Sequence, residues 1–267
     1  MDKFNFNRFG KVVVRDFHSA LSLYGTSMII IMLMPLAIWM GGISLHPLSA
    51  GLETSPETRL SVISFLSVLA GTIAPMKIYK SCNLRGTGNY FAMLPASLGE
   101  KFWSMVLYSF VLVPLAVFLG SCVVDTLLTI LPFGPYHRPL WSSDGYQFTT
   151  SVFDISGYRG FGYFLRCVVS LFSTVSIFLF TNTIFKKNKF IKTILWLMLI
   201  SFVLFLVAIP IIANNVDTLG YWVRDHLDNW DEERFFRFIY WSSLALEVAV
   251  MAVLMFFTYR RLKKMQY

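Results

Sequence analysis

Charge is what this chain has least of. Only 14% of its residues are Asp, Glu, Lys or Arg, whereas a soluble domain carries about a quarter. A water-facing globular surface is therefore excluded. Cysteine is nearly as scarce. Cys82, Cys122 and Cys167 include no CxxC spacing, which argues against a redox or zinc motif. His18, His46, His137 and His226 lie far apart, with no ligand spacing, so no metal site is expected. HExxH and GxSxG are missing, and with them the commonest hydrolase signatures. So is GxxxxGK[ST]: no P-loop for ATP is present. Nor do the apolar runs alternate with polar residues, as a membrane barrel requires over about ten positions.

What remains is apolar length. The mean hydropathy is +0.61. Six strongly apolar stretches fall at roughly 23–42, 60–76, 103–124, 163–185, 193–213 and 238–258. A hydrocarbon core about 30 Å thick needs about 20 residues at 1.5 Å each. Unpaired backbone groups are costly in lipid, so each stretch is expected to be a helix. The fold class is thus an all-α integral membrane protein of six transmembrane helices, with 1–267 as a single membrane domain. The first run is expected to be a retained anchor rather than a cleaved leader.

Basic residues set the orientation. Sixteen of 23 fall in four groups of four. These are Lys3, Arg8, Lys11 and Arg15; Lys77, Lys80, Arg85 and Lys101; Lys186, Lys187, Lys189 and Lys192; and Arg260, Arg261, Lys263 and Lys264. They occupy alternate gaps and both ends, and face only Asp2, Asp16 and Glu100. Inner loops retain cations, so both termini are expected to be cytoplasmic. The pI of 9.4 then reports topology, and no nucleic-acid partner is expected.

Residues 4–21 read as an amphipathic arm lying in the inner membrane surface. Phe6, Phe9, Val13, Phe17 and Ala20 gather on one side. Arg8, Lys11, Arg15 and His18 gather on the other. The arm serves either as a plain lipid anchor or as an elbow that also touches a cytoplasmic subunit. Pro35 and Pro114 are expected to kink the first and third spans. Thr54, Ser55, Pro56 and Glu57 read as a capped start to the second span. The outer segment 214–237 carries Leu219, Trp222, Val223, Leu227 and Trp230 at helical spacing, as expected of a helix on the outer interface.

The inner loop before the third span carries the sharpest local signal. Ser97-Leu98-Gly99-Glu100 fits a capping box. Pro95 keeps Leu94 out of the helical region. Lys101 and Trp103 are expected at headgroup level. A well-made helix start accounts for all of this by itself. The run Tyr90-Phe91-Ala92-Met93-Leu94-Pro95-Ala96-Ser97-Leu98-Gly99-Glu100-Lys101-Phe102 also resembles the LPAS…EK segment of membrane subunits related to ABC-2-type transporter permeases, particularly those of Bacteroidetes. The opening Phe4-Asn5-Phe6-Asn7-Arg8-Phe9-Gly10-Lys11, with Arg15-Asp16, is similar to their N-terminal arm. The resemblance implies a bacterial inner-membrane exporter built from two membrane subunits, as homodimer or heterodimer, and two separate ATP-binding subunits. It implies that residues 81–101 contact the ATPase, through Arg85, Tyr90, Leu94, Pro95, Ser97, Glu100 and Lys101. It implies no enzyme activity and no cofactor in this chain. A scaffold or sensor subunit and a polytopic membrane enzyme remain the alternatives.

Polar residues within spans are few. Glu247 is the one acid deep in a span. An ionised acid there costs about 2.5–3.5 kcal/mol on insertion scales, so it should face protein or water. It either lines a substrate path or joins helices as a protonated or hydrogen-bonded group. Asp125 and Arg166 are expected to pair near the outer ends of their helices. Ser64, Ser67, Ser170, Ser173, Thr174 and Ser176 are expected to join helices. Cys122 and Cys167 are read as apolar filler rather than a disulfide.

Overall fold

A computed structural model describes residues 4–45, 56–83, 93–130, 140, 161–227 and 232–265. All regular structure among these residues is helical. Six helical stretches are long and apolar enough to cross a membrane: Phe6–Ile38, Arg59–Ile78, Leu98–Ile130, Leu165–Ile184, Lys189–Val207 and Phe238–Lys264. The chain is a multi-pass membrane protein.

The arm and the first span form one helix. α1 runs uninterrupted from Phe6 to Met32, with no break near residue 22. The sequence there holds no proline, and the Asn5 side chain caps the start by accepting from the Asn7 N–H at 2.9 Å. The interruption comes instead at Leu33, where α2 (Met34–Leu45) begins. Pro35 has no N–H to donate one turn back. Phe6 and Phe17 point outward, as an arm against lipid requires, but a third face was hidden in the sequence. Val12, Asp16, Ala20 and Tyr24 recur every four residues and are buried.

That stripe packs on α3 (Pro56–Ile78) and on α4 (Leu98–Leu107). The Tyr24 hydroxyl donates to the Ala70 carbonyl at 3.0 Å. α4 passes through a π-helical turn, Tyr108–Leu112, into α5 (Val113–Ile130). The π turn lies just before Pro114, whose missing N–H already loosens the i→i−4 ladder. Gly71 makes the close approach here. A Cβ at this position would sit 2.9 Å from Pro114 Cγ and 3.2 Å from the Ser109 carbonyl. α6 (Phe161–Ile184) closes the core with Val175 and Leu179 against Ala70, Met105 and Val117.

α7 (Lys189–Leu227) and α8 (Glu232–Met265) flank α6. α7 has 39 residues, or about 58 Å at 1.5 Å per residue, roughly twice a hydrocarbon core. The outer segment up to Leu227 therefore continues the fifth span as one helix, where a separate interfacial helix was expected. Both helices turn apolar residues outward, Leu199 and Phe202 on α7 and Val253 and Phe256 on α8, as lipid-facing spans do.

Two polar expectations are corrected. Asp125 does not pair with Arg166. It takes a two-pronged hold from Arg59, with Nε to Oδ1 at 2.9 Å and Nη2 to Oδ2, and both residues are buried. Arg166 donates to the Ser243 hydroxyl at 3.0 Å and lies over the Tyr240 ring. Three of the six span hydroxyls expected to join helices bond within their own helix instead. Ser67, Thr174 and Ser176 donate to the carbonyls of Ile63, Ser170 and Phe172, four residues back on their own helices. That local acceptor is always within reach of a helical Ser or Thr. Cys82, Cys122 and Cys167 are all free thiols.

Candidate functional site

The four basic groups converge on one end of the bundle, wherever described. Four hydrogen bonds between elements tie them together. The Asn5 N–H donates to Glu100 Oε1 at 2.8 Å. The Lys189 ammonium donates to the Lys80 carbonyl at 3.0 Å and to Asn182 Oδ1 at 2.7 Å. Arg261 Nε donates to the Thr183 carbonyl at 3.0 Å.

Glu100 is the first of two fully buried acids here. The capping box forms as the sequence suggests. The Ser97 hydroxyl accepts from the Glu100 N–H at 3.3 Å, and Glu100 Oε2 accepts from the Ser97 N–H at 2.9 Å. Its other oxygen does something the motif alone does not foretell. It accepts the N–H of Asn5, the cap residue of α1, and pairs with Arg8 Nη2 at 3.3 Å. One carboxylate therefore closes two helix starts, α1 and α4, through a bond between residues 95 apart in sequence. Charge at both helix N-termini is favourable for an anion.

Asp16 is the second, at 1% exposure. It accepts from the Ser104 hydroxyl at 2.6 Å, the Tyr79 hydroxyl at 3.0 Å and Arg15 Nε at 3.0 Å. Tyr108 adds a bond from its hydroxyl to the Val13 carbonyl at 2.7 Å. Asp16 thus pins α1 to the end of α3 and to α4. Burial, with the Asp16 charge added, holds the Tyr79 phenol well above its ordinary value. Burial also pushes the nearby Cys82 thiol up to about 12, with Lys189 opposing and Asp16 reinforcing.

The expected site residues divide as follows. Ser97, Glu100 and Arg8 are brought together. Arg15 instead bonds to Asp16, which reaches α4 through Ser104. Lys101 is buried beside this cluster, because α4 begins at Leu98 and turns that position inward. Lys11 is exposed, as are Pro95 and, at 78%, Met93; Leu94 is half-buried. Arg85 and Tyr90 lie outside the described residues. Glu247 sits far from this cluster, half-buried on α8, and its Oε2 is shielded from solvent with no hydrogen-bond partner among the described residues. Sequence reasoning did not place Asp16 and Tyr79 in this cluster. The available signal was Asp16, the lone acid of residues 4–21, beside Arg8, Lys11 and Arg15.

No family model matches the chain, and no curated protein or solved structure does either.

Proposed function

We propose that this chain is the membrane-spanning subunit of an ATP-driven exporter of the ABC-2 kind, working with a separate ATP-binding subunit. The reading begins from the resemblance of residues 4–16 and 90–102. One structural observation supports it: residues 4–16 and 93–102, the described parts of the two segments, are physically one unit. Asn5 and Arg8 of the arm are held by Glu100 of the capping box, and Asp16 fastens the same arm to Tyr79 and Ser104. A push on residues 93–101 would be delivered to α1, α3 and α4 together. A mechanical coupling element needs that property, because interfaces and packed cores respond as discrete arrangements rather than by smooth deformation.

In this reading the basic end faces the cytoplasm by the positive-inside rule. The membrane is the bacterial inner membrane, and two membrane subunits associate. Pro95 and Met93 present an exposed edge to the partner, while Ser97, Glu100 and Lys101 shape the element behind it. The test is ATP hydrolysis by the assembled complex in lipid. Truncating Leu94, Glu100 and Lys101 to alanine is expected to lower coupled hydrolysis about tenfold, a typical coupling free energy. The variants must first insert and give native melting profiles. Unchanged hydrolysis by a folded triple variant would remove the assignment.

A further inference from the structure

The groups Lys186–Lys192 and Arg260–Lys264 read from the sequence as orientation signals alone. The fold gives them a common place and a layered surroundings. The inner end of α6 carries both. Its Asn182 holds Lys189 on one side, and its Thr183 carbonyl holds Arg261 on another. Lys186, Lys187, Lys192, Arg260, Lys263 and Lys264 are all exposed there. The described acids at this end, Asp16 and Glu100, are both buried and already engaged. The exposed surface among the described residues therefore carries cations without opposing charge.

A second regularity lies beneath them. One helical turn toward the membrane, on the same helix face, each of three cations has an exposed aromatic ring. Lys192 stands four residues from Trp196 on α7. Arg260 stands four from Phe256, and Lys263 four from Tyr259, on α8. Residues four apart on a helix are neighbours. Cations stacked over rings match the depth profile of a phospholipid, with phosphate above and the glycerol–acyl boundary below. An acidic protein would need the charges but not the rings beneath them.

We infer that this end of the protein binds anionic phospholipid headgroups, with Lys192, Arg260 and Lys263 at the phosphates and Trp196, Phe256 and Tyr259 along the upper chains. The inference is independent of any transport role. The test uses the full chain in vesicles of phosphatidylcholine, with trace spin-labelled phosphatidylglycerol or phosphatidylcholine reporting association. Wild type is expected to prefer the anionic label severalfold, up to about fivefold per engaged cation, and less so at 1 M salt. The triple change K192Q/R260Q/K263Q is expected to bring the preference close to unity. Equal association of the two labels with wild type would overturn the inference. So would an undiminished preference in a folded triple variant, which would assign selectivity to other cations. Because the wild-type comparison needs no variant, a folding failure would not protect the inference.

Discussion

Asp125→Ala is expected to cost about 3–5 kcal/mol of stability, because it leaves the buried Arg59 guanidinium without its counter-charge. The pair joins the start of α3 to the far part of α5, well away from the basic end. Arg59 is 7% exposed and Asp125 2%, so water cannot substitute for the lost carboxylate. The same argument gives a rescue. Arg59→Met with Asp125→Leu removes both charges at similar volume and is expected to recover most of the loss, since an apolar replacement of a buried pair is often neutral or better. Reversible unfolding in mixed micelles would measure both. A single variant within about 1 kcal/mol of wild type would mean the pair is solvated, as exposed pairs of that small worth are.

Asp16→Ala is expected to have the next largest effect, about 3 kcal/mol. The hydroxyls of Tyr79 and Ser104 both lose their acceptor in a buried setting, and each orphaned group costs about 1–3 kcal/mol. A second consequence separates this site from ordinary core damage. With α1 released from α3 and α4, trypsin is expected to cut faster after Lys11 and Arg15. Combining Asp16→Leu with Tyr79→Phe and Ser104→Ala removes all the polar partners together. It is expected to restore much of the stability while leaving the arm less firmly registered. Unchanged proteolysis in Asp16→Ala would show that the Glu100 contacts hold the arm by themselves.

Several parts of this arrangement were legible in the sequence for physical reasons. Apolar length marked the six spans, because a bilayer imposes one thickness on every crossing. The capping box at Ser97–Glu100 was readable, because its two bonds form within four residues. Pro35 announced the break after α1, since a missing donor acts locally. What stayed hidden depends on which helices are neighbours. Asp125 was expected to pair with Arg166, because spacing along the chain cannot say that α3, not α6, lies beside it. The burial of Lys101 depends on which helices α4 faces, which spacing along the chain does not give. The buried stripe Val12–Asp16–Ala20–Tyr24 was masked by a stronger amphipathic pattern on the same helix. The second role of Glu100, as acceptor for Asn5, required the arm to fold back across 95 residues.

The central claim is that the arm and the capping segment form one docking element for an ATP-binding partner. A photoactivatable amino acid at Met93, whose side chain is 78% exposed at the edge of that element, tests it most directly in intact membranes. The account predicts a crosslink to a polypeptide that binds ATP and whose hydrolysis this chain stimulates, with the yield reduced in Glu100→Gln. Crosslinks to lipid alone, or a yield indifferent to Glu100→Gln in a folded protein, would contradict it.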